Sequence, residues 1–171
     1  MFQTVDMTST DRTRTLEWQD PMIGAAAMTT MSGIDYLRAM RDGVLPPPPI
    51  TVTMNFEMGS IEPGVVTFTG QPDESHYNPI GVVHGGYACT ILDSVAGCAV
   101  QSTLDQGWGY TSLEIKVSYL RGLTTTTGPL TATGRVTKPG KRVAFAEAEL
   151  RDAEGRLCAT ASSTLLVFPL P

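Results

Sequence analysis

Residues 78–93 read Asn-Pro-Ile-Gly-Val-Val-His-Gly-Gly-Tyr-Ala-Cys-Thr-Ile-Leu-Asp, and this stretch contains the chemistry of the chain. It predicts a His-Gly-Gly turn at 84–86 that opens a long apolar helix from about Gly85 to Leu104. Two glycines let the backbone approach a ligand closely, and the first turn of a helix presents N–H groups without intrahelical partners. The partial positive charge at that end of a helix stabilises an anion or a developing oxyanion. The segment therefore predicts an anion-binding position where the helix begins.

Asp93 is the one carboxylate between Tyr87 and Val100 in this apolar helix. Such surroundings predict that Asp93 is desolvated. A buried carboxylate costs free energy unless it has a specific partner, and a functional role is one reason to keep it. The alternative is that Asp93 faces water or caps a neighbouring backbone group.

The composition predicts one soluble globular domain with a substantial core. The chain has 171 residues, 42% of them hydrophobic, and a mean hydropathy of zero. Its net charge is −5 and its basic residues are scattered, which argues against nucleic acid or an anionic membrane as the main partner. No stretch has the pattern of a signal peptide or a membrane span, so the expected location is the cytoplasm.

Cysteine and histidine are too few and too scattered to predict a metal site. The three cysteines, at 89, 98 and 158, lack metal-type spacing, and the histidines are His76 and His84. No cofactor fingerprint is present, so neither a metal nor a cofactor is expected. The odd cysteine count fits a reducing compartment.

Alternation of apolar and polar side chains predicts strands on both sides of the helix in the sequence. The predicted strands cover about 51–58, 64–69, 113–119, 130–136, 142–151 and 156–168, with a hairpin turn at Asp152-Ala153-Glu154-Gly155. Short connections favour antiparallel pairing, so the predicted fold class is α+β, with a sheet of about six strands wrapped around one helix. One such sheet covers part of an apolar helix, and oligomerisation is expected to cover more.

Residues 1–49 are predicted to form an N-terminal extension, and residues 50–171 the domain proper. In the extension, Ser32 and Asp35 suggest a capping box for a short helix that ends at Gly43. The prolines at 46–49 predict a stiff extended connector that leads into the first strand.

The motif and its surroundings together resemble a known family. Asn78 is followed six residues later by His84-Gly85-Gly86, and Asp93 lies nine residues after the histidine. With the stretch 109–120 and the Lys138-Pro139-Gly140-Lys141-Arg142 turn, the chain is similar to the PaaI-like (phenylacetate-pathway) acyl-CoA thioesterases of the hotdog fold. The likeness covers roughly residues 50 to 168.

The resemblance implies hydrolysis of an acyl-CoA to a free acid and CoA, with CoA as part of the substrate. Asp93 would activate the attacking water or attack the thioester carbonyl itself. The Gly85 N–H would hold the carbonyl oxygen, Gly86 would allow the turn, Asn78 would donate an amide hydrogen bond, and His84 would orient that amide.

The resemblance also implies a homodimer or homotetramer with its active sites at the subunit interface. Asn78, His84 and Gly85 of one subunit would face Asp93 and a hydroxyl of the other, and Ser112 fits that hydroxyl, with Thr111 as second choice. For the CoA phosphates the candidate cations are Arg121, Lys138, Lys141 and Arg142.

Each of these residues also has a purely structural interpretation. His84 fits a helix N-terminal cap, Asn78 an Asn-Pro turn and Ser112 a hydroxyl at the start of a strand. The four cations fit solvated surface charge equally well. Several unrelated coincidences in one short segment would be needed to produce the whole set this way.

Two other functions fit parts of the sequence. A hotdog enoyl-CoA hydratase would carry a signature similar to Asp-x-Asn-Pro-(Leu/Ile)-His, but His76 and Gly81 stand where its Asp and His should be. A non-catalytic module that binds acyl-CoA would keep the pocket without a competent base, and Asp93 and Asn78 argue against that.

Overall fold

The computed structural model describes residues 11–171, which form one antiparallel sheet around a long helix. This confirms the predicted α+β class and the hotdog arrangement. The sheet order is β1-β2-β4-β5-β6-β3, with every neighbouring pair antiparallel. In chain order the elements are α1 (Pro21–Met28), α2 (Gly33–Arg41), α3 (Pro49–Met54), β1 (Phe56–Glu62), β2 (Val65–Gly70), α4 (Gly85–Gln101), β3 (Trp108–Tyr119), β4 (Leu130–Lys138), β5 (Val143–Arg151) and β6 (Leu157–Pro169). Short 3-10 turns lie at Glu74–His76 and Thr125–Thr127.

The long helix α4 lies against one face of the sheet and forms the centre of the core. It ends at Gln101, three residues before the predicted Leu104, and Ile91, Leu92 and Val95 on it are fully buried. Helix and sheet approach closely at Gly134 of β4, where a Cβ would lie 2.3 Å from the Val95 carbonyl oxygen. A side chain at that position would push the sheet and the helix apart.

The predicted helix of the extension is present as α2, with Ser32 as its N-cap. The Ser32 Oγ accepts a hydrogen bond from the Asp35 N–H at 3.3 Å and donates to the Asp35 carboxylate at 2.6 Å. Tyr36, Leu37 and Met40 of α2 pack into the same core as α4 and the sheet. The division of the chain at residue 50 stays a prediction.

The predicted first strand is wrong over its first half. Residues 49–54 form the short helix α3, and the strand begins at Phe56. Pro49 occupies the first helical turn, where its missing N–H costs nothing, so the proline run does not stay extended throughout. Asn55 ends the helix in the left-handed conformation (φ 51°, ψ 59°), which asparagine tolerates better than most residues.

A β-bulge interrupts the alternation predicted for β3. Ser112 pairs with Leu165 and Glu114 with Thr164, so Leu113 is the extra residue. The bulge places Ser112 on the same face as Ile115, toward α4, whereas unbroken alternation would have put Ser112 on the outer face with Glu114. Leu113 itself is 58% exposed.

Candidate active site

His84 is the cap of α4. The His84 Nδ1 accepts a hydrogen bond from the Gly86 N–H at 2.8 Å. The backbone N–H of His84 donates to the His76 carbonyl at 2.8 Å. The imidazole is exposed, so its remaining nitrogen faces solvent. The structural interpretation of His84 as an N-cap is therefore confirmed, and the described residues contain no hydrogen bond between His84 and Asn78.

Gly85 is the first residue of α4, and Tyr119 of β3 covers it. Within residues 11–171 the Gly85 N–H donates to no protein acceptor, as the position of a first-turn donor requires. The Tyr119 hydroxyl donates to the Gly85 carbonyl at 3.1 Å, and a Cβ on Gly85 would lie 3.1 Å from the Tyr119 ring. The free N–H is available to a ligand beside an aromatic ring. The sequence does not predict this contact, although the apolar alternation places Tyr119 on the helix-facing side of β3.

Asn78 orders the loop that leads to the Gly85 corner, which consists of His84, Gly85 and Tyr119. Its Oδ1 accepts hydrogen bonds from the Ile80 N–H at 3.1 Å and the Val82 N–H at 3.2 Å, which is an Asx-type turn. The turn interpretation of Asn78 is thus confirmed. Its Nδ2 has no hydrogen-bond acceptor anywhere in residues 11–171, so the amide remains free to donate to a ligand.

The free Gly85 N–H is one polar centre of the site, and Asp93 and Ser112 form a second. The Ser112 Oγ donates to Asp93 Oδ1 at 2.8 Å across the gap between α4 and β3. The pair lines a cavity of about 300 Å³ together with Cys89, Thr90, Leu113, Glu114 and Ile115. Asp93 is half-buried rather than fully desolvated as the sequence predicted, because this cavity opens to solvent. Thr111 lies exposed on the opposite face of β3, so Ser112 is the hydroxyl that the structure brings to the carboxylate.

The charge of Asp93 acts on the two thiols of α4. Burial, and then the negative charge of Asp93, raises the pKa of Cys89. The same two causes raise the pKa of Cys98 to about 12, against a hydrogen bond with Tyr110 that lowers it. Both thiols therefore stay protonated near neutral pH and are poor nucleophiles beside the carboxylate.

The two polar centres do not meet within one chain. Gly85 and Asp93 lie eight residues apart on α4, which corresponds to about 12 Å along the helix axis. A reacting carbonyl has to lie within about 3–3.5 Å of both an attacking group and an oxyanion donor. Within one chain, a single carbonyl therefore cannot contact both Gly85 and Asp93.

The four predicted cations also divide between two places. Arg121 lines a cavity of about 310 Å³ at the Gly85 corner, with His84, Tyr119 and Leu120. Lys141 lines one of about 500 Å³ at the opposite end of α4, with Trp108 and Leu104, and Lys138 and Arg142 flank the same turn. All four cations are exposed, as the surface-charge interpretation requires. A single chain does not gather them at one ligand.

Residues 11–171 contain no group of three or more His, Cys, Asp or Glu side chains placed to hold a metal ion. In the same part of the chain, each helix is too short or too polar to cross a bilayer.

The chain is similar in sequence to known proteins over the part that contains these residues. Residues 80–159, which include α4, Asp93 and Ser112, match the sequence model of the Thioesterase superfamily. Human acyl-coenzyme A thioesterase 13 is 29% identical over 67% of this chain and 86% of its own length. A Saccharolobus solfataricus relative is 32% identical over 52% of this chain, and the match spans 57% of that relative.

Solved structures share the architecture. A phenylacetic acid degradation-related protein from Ralstonia eutropha JMP134 is 28% identical, with a TM-score of 0.70 over 77% of this chain and 98% of that protein. A Streptococcus mutans UA159 protein, whose structure contains bound acetyl CoA, is 27% identical with a TM-score of 0.62, over 68% and 90% of the two chains.

The six-stranded antiparallel sheet around one helix is the hotdog fold, and the matched relatives and structures identify the protein as a thioester hydrolase. These matches confirm the predicted resemblance to hotdog-fold thioesterases.

Proposed function

We propose that the protein hydrolyses acyl-CoA thioesters at sites that two copies of the chain complete together. The observation that carries the proposal is the separation of a partnered carboxylate, Asp93 with Ser112, from an unpartnered helix N-terminal amide at Gly85. Each is half of what thioester hydrolysis needs. The acetyl CoA in the Streptococcus mutans protein and the name of the human relative support CoA as the thiol.

The proposed reaction divides its work between the two halves. The carbonyl oxygen of the thioester accepts from the Gly85 N–H of one copy, and negative charge develops on that oxygen as the tetrahedral intermediate forms. Asp93 of the other copy takes a proton from the attacking water or attacks the carbon itself, and Ser112 holds the carboxylate in place by its hydrogen bond. The C–S bond then breaks and the thiolate leaves. With Asp93 as the base, the proton that it took from water passes to the thiolate, and the products are a carboxylic acid and free CoA. With Asp93 as the nucleophile, a water hydrolyses the acyl-Asp93 anhydride to give the same acid, and the proton released from that water goes to the thiolate.

Asn78 and the cations take supporting parts in the proposal. The free Nδ2 of Asn78 donates to the substrate near the Gly85 corner, since its oxygen is already occupied by the loop. Arg121 at that corner, and Lys138, Lys141 and Arg142 at the far end of α4, offer cations to the CoA phosphates, with two chains bringing the two sets to one ligand.

The test of the carboxylate is thiol release from a panel of acyl-CoAs. Purified wild type and Asp93→Asn are assayed side by side with phenylacetyl, benzoyl, acetyl, hexanoyl and lauroyl esters. We expect wild type to release CoA from at least one ester and Asp93→Asn to lose at least about a hundredfold in kcat, the scale of removing a general base or nucleophile. Undiminished turnover in Asp93→Asn would exclude this carboxylate, and tight binding without turnover in wild type would favour the binding module.

The Gly85 amide has a matched pair of variants. Gly85→Pro removes the N–H at the first helical position, where proline is tolerated, and the extended backbone of His84 (φ −61°, ψ 139°) is already compatible with a following proline. Gly85→Ala places a Cβ against the same Tyr119 ring but keeps the N–H. We expect Gly85→Pro to have a kcat about a hundredfold below that of Gly85→Ala, the effect of losing one oxyanion donor. Equal turnover in the two variants would remove the amide from the mechanism.

A further inference from the structure

Arg14 lies in the N-terminal extension, before α1, and its guanidinium joins two elements of the domain. Nη2 donates to the Val52 carbonyl in α3 at 3.0 Å. Nη1 donates to the Ser75 hydroxyl in the 3-10 turn Glu74–His76 at 3.1 Å and lies 3.7 Å from the Asp73 carboxylate. The planar fork of an arginine holds two such groups in a fixed relative position.

The 3-10 turn that Arg14 contacts in turn holds the cap of α4. Arg14 Nη1 lies 3.3 Å from His76 Nε2, and the His76 carbonyl accepts the His84 N–H at 2.8 Å. The His76 ring is 9% exposed and packs edge-on against the Tyr87 ring, with 5.0 Å between ring centroids. One turn of chain therefore contacts both the cap and the first turn of the helix that carries Gly85.

A second path runs from Arg14 through α3 to the same place. Asn55, which ends α3, has a carbonyl that accepts from the Tyr87 hydroxyl at 3.4 Å and from the Gln71 N–H at 3.0 Å. Tyr87 is fully buried at the start of α4. The 3-10 turn and α3 both contact the first turn of α4, and the Arg14 side chain of the extension binds both of them.

We propose that Arg14 is a positioning residue for the hydrolysis, acting through His76 and His84 on the direction of the Gly85 N–H. It contacts no reacting atom itself, and the inference rests on the function proposed above. A small misplacement of a catalytic donor lowers the rate far more than it lowers binding, so the effect belongs in kcat. The extension thereby gains a role in catalysis.

The first experiment measures hydrogen exchange, which does not depend on turnover. In Arg14→Ala we expect amide exchange in peptides covering 76–88 to become about tenfold faster, with exchange in peptides covering 95–101 unchanged, because the loss of order is local. Arg14→Lys keeps the charge without the fork and is expected to exchange like Arg14→Ala. Arg41→Ala is the matched control, since Arg41 pairs with its exposed neighbour Asp42, and it should exchange like wild type.

The second experiment is a double-mutant cycle on kcat. Arg14→Ala should lower kcat about tenfold, with KM changed less than about twofold. In the Gly85→Pro background the same substitution should change kcat less than about twofold, because the group through which Arg14 acts is already absent. A loss of general stability would lower activity equally in both backgrounds.

The outcomes separate this inference from the proposed function. Unchanged exchange at 76–88, rescue by lysine, or additive effects with Gly85→Pro would each overturn the role of Arg14. Faster exchange with unchanged kcat in an active enzyme would overturn it too. Wild-type protein that releases no thiol would overturn the proposed function, while the exchange result would still support or overturn the part of Arg14 in holding the helix corner.

Discussion

Ser112 shows how one side chain of β3 serves the carboxylate on α4. Its hydrogen bond to Asp93 is 2.8 Å long, and a bond to a charged group contributes about 1.5–3 kcal/mol when shielded from water. Since the cavity is partly open, we expect Ser112→Ala to lower kcat about tenfold, near the lower limit of that range. The measurement is steady-state thiol release from the best ester of the panel, with KM determined in parallel.

Ser118→Ala is the control for Ser112→Ala. Ser118 has the same side chain on the same strand but lies on the outer face of the sheet, beside Lys116 and Thr160. It should leave kcat unchanged. If both variants lost activity equally, the cause would be a weakened strand β3 and not the contact with Asp93.

For single residues, the sequence predicts which residue types matter better than it predicts their contacts. The spacing of Asn78, His84, Gly85 and Asp93 was informative because all lie in one continuous segment. The hydrogen bonds of His84 to Gly86 and of Asn78 to Val82 are local too, and both structural interpretations anticipated them. The contact of Tyr119 with Gly85 joins residues 34 positions apart, and a pattern along one strand does not predict its partner.

Among the elements, α3 and the bulge in β3 depart most from prediction, beside the earlier end of α4 and the earlier start of β3. Alternation over residues 51–58 fits a strand, yet a proline at the first helical position and an asparagine in the left-handed conformation allow six residues to form a helix first. Tertiary context decides such short segments. The bulge at Leu113 has no signature in the sequence, but it turns Ser112 toward Asp93.

The residues from Asp152 to Gly155 predict the turn of the β5–β6 hairpin. The Asp152 carboxylate in that turn makes the stability of the fold depend on pH. Asp152 is 4% exposed, and its carboxylate accepts from the Arg156 Nε at 2.6 Å and the Arg156 N–H at 2.8 Å. Burial by itself raises the pKa of Asp152. The hydrogen bonds and charge of Arg156, with the Glu154 N–H, lower that pKa by more, so the folded pKa of Asp152 lies below its ordinary value. The stability that this group contributes is therefore present above the unfolded pKa of about 3.9 and is lost as the pH falls through the folded pKa.

Asp152→Asn tests that dependence. At pH 6 the variant should have a lower free energy of unfolding than wild type, and the difference should begin to shrink as the pH falls below about 4, because the unfolded wild-type carboxyl then binds protons more readily than the folded one. Urea denaturation at each pH gives both quantities. Glu154→Gln is the control, because the Glu154 side chain is exposed and its pairing with Arg156 contributes little. A gap between wild type and Asp152→Asn that stays constant from pH 6 to pH 3 would mean that the amide disturbs the turn by geometry alone.

For the whole molecule, the order of elements along the chain was enough to predict the sheet around α4. Hydrophobic periodicity is local information, and antiparallel neighbours with short connections leave few other topologies. A site that two copies complete, as proposed above, would depend on the assembly, and periodicity within one chain does not predict it. In the structure, Gly85 and Asp93 lie about 12 Å apart along α4, which is too far for one carbonyl to contact both within one chain.

The exposed edge of the sheet indicates where a second copy would bind. β3 is an edge strand, and Leu113, Tyr119 and Leu120 at that edge are each more than half exposed. Large apolar side chains along an unpaired strand edge favour association. Tyr119 contacts Gly85 and Leu113 lines the Asp93 cavity, so contact at this edge would involve both halves of the site.

Mixing two inactive variants decides whether each site draws on two copies. Co-expressed in equal amounts, Asp93→Asn chains supply intact Gly85 and Gly85→Pro chains supply intact Asp93, so about a quarter of the sites should combine both intact groups and recover about a quarter of wild-type activity. The control mixes Asp93→Asn with the double variant Asp93→Asn/Gly85→Pro, which contains no intact carboxylate in any copy and should stay inactive. Activity equal to the mean of the two separate variants, in oligomers shown by mass to be mixed, would place the whole site within one chain and would require α4 to bend or the substrate to bridge the 12 Å gap in another way.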